Sequence, residues 1–364
     1  MPRPFHDSGV IRRYREFLPV SDATPVISLG EGSTPLIHSP KLSDEAGAEV
    51  YLKYEGLNPT ASFKDRGMTV AVSKAVERGA KAVVCASTGN TSAAAGAYAA
   101  RAGLPCLVLL PAGKIATGKL MQAFAYGANV VAIRGNFDDA LRLVRELAER
   151  IDIEVVNSIN PFRIEGQKTA AFEIIDALGD APDVHILPVG NAGNITAYWQ
   201  GYREFHSLGR STRLPRMTGF QADGAAPLFF DRIFPEPETV ATAIRIGNPA
   251  SWTGATDAVR DSGGCIDIVT DDEILAAQKF LAEGEGIFVE PASAASVAGL
   301  RKCLSDRRCA RCPLAQPAQR IVCTVTGHGL KDPETPILAH RVAVEVDATI
   351  DAVLAVAGTQ NPLS

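Results

Sequence analysis

Short apolar segments alternate with longer amphipathic segments through most of this chain, and this alternation constrains its fold more than any other feature. The spacing is that of units in which a helix connects two strands, and such units build parallel sheets. We therefore expect an α/β protein with parallel-rich twisted sheets flanked by helices. The apolar segments predict strands at 82–86, 106–110, 129–133, 154–156, 185–189, 218–222, 266–269, 287–290 and 321–325.

Charge and hydropathy exclude several classes of function. The 364 residues include 36 basic and 41 acidic ones without a basic block, so no nucleic-acid partner is expected. No apolar stretch approaches membrane-spanning length, and residues 1–20 lack the apolar core of a secretory signal. We predict a cytoplasmic protein long enough for two domains.

The spacing of the cysteines does not predict a metal site. Cys303, Cys309 and Cys312 lie among arginines in a segment that resembles an insertion. Three thiols fall short of a structural zinc site, and no nearby histidine completes one. We predict no bound metal and leave the role of these three cysteines open.

Lys64 is the first candidate for catalysis. Asn58-Pro59 predicts a turn, and an amphipathic run at 68–77 follows, which places Lys64 in the first turn of a helix. The positive end of the helix dipole and partial burial both disfavour a charged amine there. A neutral amine is what covalent attachment to a carbonyl compound requires.

Two loops between a strand and a helix are candidates for anion binding. Residues 190–194 hold Gly190 and Gly193, which let backbone N–H groups approach a phosphate at a helix N-terminus. The loop lacks the lysine and hydroxyl of a nucleotide-triphosphate loop. Residues 87–91 crowd hydroxyl and amide side chains at another helix N-terminus, which suits a carboxylate. Thr326 ends a further strand, where open α/β sheets bind ligands.

These motifs, together with residues 29–36 and 326–333, resemble those of the threonine synthases, which are pyridoxal-phosphate enzymes of the tryptophan-synthase-β fold, or fold type II. The resemblance extends from about residue 25 to residue 333. It implies a large domain of residues 1–57 and 156–364, with a small domain of residues 58–155 inserted in it. The cofactor, pyridoxal 5'-phosphate, would lie in the cleft between the two domains.

The resemblance also implies roles for particular residues. Lys64 would hold the cofactor and then act as the base. Asn90 would contact the cofactor ring oxygen, and Thr326 the pyridine nitrogen. The cofactor phosphate would be bound by the loop of Gly190, Asn191, Ala192, Gly193 and Asn194.

A further stretch, residues 157–163, implies the substrate. By the same resemblance, Asn157, Ser158 and Arg163 would bind the phosphate of O-phosphohomoserine. The hydroxyls of Ser87, Thr88 and Thr91 would assist them. The implied reaction removes phosphate by γ-elimination and adds water at Cβ to give L-threonine, in a homodimeric enzyme.

Other functions stay open at this point. A fold type II enzyme could instead carry out β-replacement or β-elimination on O-phosphoserine or serine, as a cysteate-synthase-like enzyme or a dehydratase. A non-catalytic protein that only binds the cofactor is the alternative from another class. An intact set of Lys64, Asn90 and Arg163 argues against that alternative.

Overall fold

The computed structural model describes residues 9–87, 89–112, 117–135, 137–305, 320–333, 335 and 343–360. The strands are β1 (Leu36–His38), β2 (Glu49–Tyr54), β3 (Ala82–Ala86), β4 (Cys106–Pro111), β5 (Asn129–Ile133), β6 (Ile153–Val155), β7 (Val184–Pro188), β8 (Arg216–Ala222), β9 (Cys265–Val269) and β10 (Arg320–Val325). The helices are α1 (Val10–Arg13), α2 (Pro40–Ala46), α3 (Lys64–Glu77), α4 (Asn90–Ala102), α5 (Thr117–Ala125), α6 (Phe137–Arg150), α7 (Pro161–Leu178), α8 (Gly193–Ser207), α9 (Pro227–Phe230), α10 (Trp252–Ser262), α11 (Asp271–Lys279), α12 (Pro291–Ser305) and α13 (Ile350–Gln360).

The strands form two sheets in the part of the chain that the structure describes. One sheet has the order β1-β2-β10-β7-β8-β9, and the other has the order β5-β4-β3-β6. All neighbouring strands pair in parallel except β1 and β2, which are antiparallel. The predicted α/β class with parallel-rich sheets is therefore confirmed. Because parallel strands present their carboxyl ends at one edge, loops that follow different strands meet there.

The strand predicted at 287–290 is wrong. In this segment Val289 forms only a single bridge to His328, and α12 begins at Pro291. Ile287 and Val289 are buried in a hydrophobic core without joining a sheet, which explains the apolar pattern. β1 and β2 were not predicted, because charged residues such as Lys53 interrupt the apolar pattern of β2.

The domain boundaries stay a prediction. The strands β3 to β6 all lie within residues 58–155, and the strands of the six-stranded sheet lie outside that range. No described helix is long and apolar enough to cross a membrane.

A cluster of buried charges fixes the start of α3. The guanidinium of Arg66 donates to Glu55 at 2.7 Å and to Glu173 at 2.6 Å. The amine of Lys53 donates to the same Glu173 carboxylate at 2.7 Å. All four side chains are almost completely buried, so each charge depends on its partners. The cluster joins β2, α3 and α7, and it thereby holds the helix that begins with Lys64.

The helices α3 and α7 approach closely at glycines. A Cβ atom on Gly166 would lie 1.9 Å from the carbonyl oxygen of Arg66. A Cβ atom on Gly67 would lie 2.7 Å from Nε of Arg163. These two contacts set the distance between the helix that carries Lys64 and the helix that carries Arg163.

Gly166→Ala is expected to lower the free energy of unfolding by roughly 3 kcal/mol, because the backbones of two packed helices must separate. Gly96→Ala in α4 is the matched control, since its Cβ would lie 3.3 Å from the nearest side-chain atom. The control should change stability by less than about 1 kcal/mol. Chemical denaturation of both variants measures the difference. Equal stability of the two variants would mean that α3 and α7 do not pack as described.

Candidate active site

Lys64 lies beside the carboxyl end of β10. Ser62 forms a bridge with Gly327, and the N–H of Phe63 donates to the carbonyl of Thr326 at 3.0 Å. Lys64 follows directly as the first residue of α3. Two segments that are more than 250 residues apart in sequence are thus joined by backbone contacts at the predicted catalytic lysine.

The charge of Lys64 is controlled by its surroundings. Burial lowers the pKa of the Lys64 amine to about 7, and the guanidinium of Arg163 also lowers it. The carboxylate of Glu290 acts in the opposite direction and raises it. A substantial fraction of the amine is therefore neutral near pH 7, as a nucleophile or base requires. The sequence predicted a lowered pKa, and the structure identifies burial as its largest cause.

Hydrogen bonds with Ser293 fix the position of Thr326. The Ser293 hydroxyl accepts from the backbone N–H groups of Thr326 at 3.0 Å and Gly327 at 2.7 Å. It also lies 2.9 Å from the hydroxyl of Thr326, with which it shares a hydrogen bond. When Ser293 donates in that bond, Thr326 can donate its own hydrogen to a ligand.

The glycine loop at 190–194 leads from β7 into α8. A Cβ atom on Gly190 would lie 2.7 Å from the Cα of Ile244, so only glycine fits there. Ala192 adopts the left-handed conformation with φ of 63°, and α8 begins at Gly193. The unpaired N–H groups of a helix N-terminus lie at this loop, and they favour an anion.

Two asparagine side chains of the loop at 190–194 differ in whether they have hydrogen-bond partners within the protein. Asn194 is buried, and both its amide nitrogen and its amide oxygen lack a partner within the protein. Buried polar groups without a partner are rare, so Asn194 is suited to bind a ligand that comes from outside the chain. Asn191 instead donates to the Ser158 hydroxyl at 2.5 Å and accepts from the N–H of Ala250 at 2.6 Å. Its side chain therefore holds the loop in place, and only its backbone remains for an anion.

The loop after β3 places Asn90 at the first position of α4. The Ser87 hydroxyl accepts from the N–H of Gly89 at 3.3 Å. The amide nitrogen of Asn90 donates to both carboxylate oxygens of Glu290, at 2.9 and 3.2 Å. Thr91 is partly buried, and Thr88 lies outside the described residues.

Asn157 and Ser158 are brought to the same edge of the sheets. The side chain of Asn157 accepts from the N–H of Ala86 and donates to its carbonyl, both at 2.9 Å. It therefore fixes the end of β3, which precedes the 87–91 loop. Ser158 accepts from Asn191 and keeps its own hydroxyl hydrogen for a further contact.

Arg163 is the most unusual side chain in this region. It is only 1% exposed, and one terminal nitrogen donates to the carbonyl of Val156 at 2.7 Å. The other terminal nitrogen and Nε have no hydrogen-bond partner in the protein. Burial lowers the pKa of Arg163 to about 10, so it stays a cation at neutral pH. A buried guanidinium with free donors is suited to bind an anion supplied from outside the chain.

Sequence reasoning missed Ser293, Glu290 and Asp65. Asp65 accepts from the N–H of Thr60 at 2.6 Å and from its hydroxyl, and burial raises its pKa to about 7. Glu290 is 5% exposed and directly precedes α12. An acidic residue at the end of an apolar segment, followed by proline, was the available signal for Glu290. Among the cysteines noted above, Cys309 and Cys312 lie outside the described residues.

Known proteins resemble this chain over most of its length. The family described as "Pyridoxal-phosphate dependent enzyme" matches residues 27–327. The threonine synthase of Halalkalibacterium halodurans is 59% identical over 327 residues, which is 90% of this chain and 90% of that protein. The threonine synthase of Mycobacterium leprae is 59% identical over 330 residues, again 90% of each chain.

Solved structures show the same fold at lower identity. Maize serine racemase superimposes with a TM-score of 0.70 at 21% identity, covering 84% of this chain and 92% of that one. At this identity the likeness concerns the fold alone, which is that of fold type II enzymes.

Proposed function

The chain belongs to the pyridoxal-phosphate dependent enzyme family, among its threonine synthases, and we propose that it converts O-phospho-L-homoserine and water to L-threonine and phosphate. It is a pyridoxal-phosphate-dependent lyase. The assignment of individual residues and of the substrate is our proposal, and it follows from the contacts of the site.

One observation carries the proposal: Arg163 keeps two free donors while it is buried beside Lys64, and a separate helix N-terminus offers a second place for an anion. A cofactor phosphate accounts for one anion and a substrate phosphate accounts for the other. An enzyme that acts on unphosphorylated serine needs only the first of these sites.

The residues present fit the cofactor. Lys64 supplies an amine with a pKa of about 7 for covalent attachment. The loop at 190–194 would hold the phosphate with backbone N–H groups, and the unpartnered amide of Asn194 would complete its hydrogen bonds there. Asn90 would contact the ring oxygen and Thr326 the pyridine nitrogen.

When bound, the cofactor supplies an electron sink for removal of the proton at the substrate Cα. Lys64 is the group that takes and returns protons at Cα and Cβ, because its neutral amine lies at the site near pH 7. Thr326 is an uncharged donor and cannot hold a proton on the pyridine nitrogen as an aspartate does. This choice favours elimination, in which the phosphate departs with the electron pair of the Cγ–O bond.

The substrate would be held by residues from two segments. Arg163 would bind the leaving phosphate through its free Nε and terminal nitrogen, with the Ser158 hydroxyl as a further donor. Ser87 and Thr91 would assist with their hydroxyls at the N-terminus of α4. Thr88, to which the sequence assigns the same role, lies outside the described residues. Asn157 would contribute by holding the end of β3 rather than through a strong direct contact.

The main alternative is an enzyme of the same fold that eliminates or replaces the β-substituent of O-phosphoserine or serine. A phosphate-binding Arg163 is compatible with O-phosphoserine, so substrate length decides between the two functions. We expect phosphate release and L-threonine from O-phosphohomoserine at a kcat/KM at least 100-fold above that for O-phosphoserine, because one methylene misplaces the bond to be broken by more than 1 Å, which costs about 100-fold. Serine should give no reaction above background.

A coupled phosphate assay with chromatographic identification of the amino-acid product measures all three substrates. Faster turnover of O-phosphoserine, or conversion of serine to pyruvate, would replace the proposed function with the alternative. We further propose that the enzyme acts in the cytoplasm, as predicted from the sequence. We also propose that it is a homodimer, since symmetric dimers are the commonest oligomers. Sedimentation of the purified protein tests the dimer.

A further inference from the structure

Glu290 is a buried carboxylate at the centre of the candidate site to which the proposed reaction gives no role. Its backbone N–H donates to the carbonyl of Gly327 at 3.1 Å, which fixes it beside the end of β10. A Cβ atom on Gly327 would lie 2.5 Å from Oε1 of Glu290, so this carboxylate reaches the site only because position 327 is glycine. The same Gly327 bridges to Ser62, two residues before Lys64.

Among the residues that the structure describes, Asn90 is the one side chain that forms a direct hydrogen bond with the Glu290 carboxylate. Its Nδ2 donates to Oε1 at 2.9 Å and to Oε2 at 3.2 Å. With this nitrogen directed at Glu290, the orientation of the whole Asn90 carboxamide is determined. Without this contact the Asn90 side chain could rotate about its bonds. Glu290 therefore determines which side of the Asn90 carboxamide faces a ligand.

The charged groups around Glu290 come from two other segments. Lys64 lies on α3, and Lys331 and Asp332 lie at the end of the turn Gly329–Lys331. Burial raises the pKa of Glu290 above its ordinary value, and Asp332 adds to this effect, whereas the hydrogen bond from Asn90 and the charges of Lys331 and Lys64 favour the carboxylate. Conversely, the Glu290 carboxylate raises the pKa of Lys64 against the effects of burial and Arg163. Glu290 and Arg163 therefore act on Lys64 with opposite signs.

We propose that Glu290 is a positioning residue: its carboxylate orients the carboxamide of Asn90 and, once the cofactor is attached, favours the protonated form of the nitrogen of Lys64. Through Asn90 it would act on the ring oxygen of a bound cofactor, and through Lys64 it would act on the nitrogen that holds the cofactor. The inference rests on the proposed function only for the roles of Lys64 and Asn90, and it does not depend on the identity of the substrate.

Glu290→Gln separates the charge from the hydrogen bond, because glutamine keeps the shape and an acceptor oxygen for Asn90. In the cofactor-loaded enzyme, the absorption of the bound cofactor reports protonation of the nitrogen of Lys64. We expect the midpoint of its pH titration to fall by about one pH unit or more in Glu290→Gln, since a favourable negative charge is lost. Arg163→Leu should move the midpoint upward, because it removes a positive charge.

Cofactor affinity tests the orientation of Asn90. Glu290→Gln should bind the cofactor about as tightly as the parent enzyme, whereas Glu290→Ala should bind it roughly tenfold more weakly, as expected for a lost hydrogen bond to a charged group. Glu283→Gln is the control, because it makes the same chemical change on the exposed surface seven residues earlier and should leave both readouts unchanged.

An unchanged titration midpoint in Glu290→Gln would overturn the role towards Lys64, and an unchanged affinity in Glu290→Ala would overturn the role towards Asn90. Both readouts need the cofactor alone. If O-phosphohomoserine proved not to be the substrate while the midpoint still fell, the proposed function would fail and the role of Glu290 would stand.

Discussion

Lys64→Ala is expected to lose phosphate release from O-phosphohomoserine by a factor on the order of 10⁴, the upper range for removal of a general acid–base group. The same variant loses the covalent attachment of the cofactor, so the purified protein should lack the yellow colour of the parent. Both losses have one physical cause. The Lys64 amine has a pKa of about 7, so a substantial fraction of it is neutral near pH 7 and can attach the cofactor and transfer protons.

Borohydride reduction followed by peptide mapping measures the attachment directly. In the parent enzyme the reduced cofactor should be found on the peptide that contains Lys64. Lys81→Ala is the matched control, because Lys81 is exposed just after α3 and should keep colour, attachment and rate. Borohydride-stable labelling of another lysine in Lys64→Ala would place the attachment elsewhere and refute the assignment.

Arg163→Leu should raise the KM for O-phosphohomoserine by about ten- to a hundredfold, which corresponds to 1.5–3 kcal/mol for a charge-assisted hydrogen bond. Colour and cofactor affinity should remain, because the cofactor phosphate is assigned to the 190–194 loop. Arg163→Lys should recover only part of the loss, since an ammonium group cannot reproduce the two-pronged contact of a guanidinium. Steady-state phosphate release over a range of substrate concentrations gives these constants.

Stability distinguishes a binding role of Arg163 from a purely structural one. In the absence of substrate, this buried cation leaves two donors unpaired, so leucine should lower the unfolding midpoint little, in spite of the lost hydrogen bond to the carbonyl of Val156. Arg203→Leu, on the exposed surface of α8, is the control and should keep the parent KM. A parent KM in Arg163→Leu, or a large loss of stability without a change of KM, would remove Arg163 from the substrate site.

The sequence could predict those parts of the site that depend on local pattern. Lys64, the 190–194 loop and Thr326 each stand next to the end of an apolar segment or the start of a helix. Because the strands are parallel, their carboxyl ends meet, and this brings distant motifs together. The start of α3 at Lys64 and the start of α8 at Gly193 follow the predicted positions closely.

The rest depends on contacts between distant residues. Asn90 and Glu290 are 200 residues apart, and no local pattern indicates that they share a hydrogen bond. The incorrect strand at 287–290 came from an apolar pattern that reflects burial rather than pairing. In the same way, the side chains of Asn157 and Asn191 looked like ligand donors, whereas the structure directs them mainly to neighbouring backbone and hydroxyl groups.

The burial of Arg163 could not be predicted from the sequence either. An arginine near the start of a helix is usually exposed, whereas Arg163 is buried and packs against Gly67, where α7 approaches α3 closely. The family resemblance predicted that Arg163 binds the substrate phosphate. The unpaired donors of its guanidinium give a physical reason for that prediction.

The central claim is that phosphate leaves by cleavage of the Cγ–O bond and that water adds at Cβ. Turnover of O-phosphohomoserine in water enriched in the heavy oxygen isotope tests it most directly, with mass spectrometry of both products. We predict one heavy oxygen in the hydroxyl group of L-threonine and none in the phosphate released by the enzyme. Heavy oxygen in the phosphate, together with homoserine as the product, would show hydrolysis of the P–O bond and contradict the account.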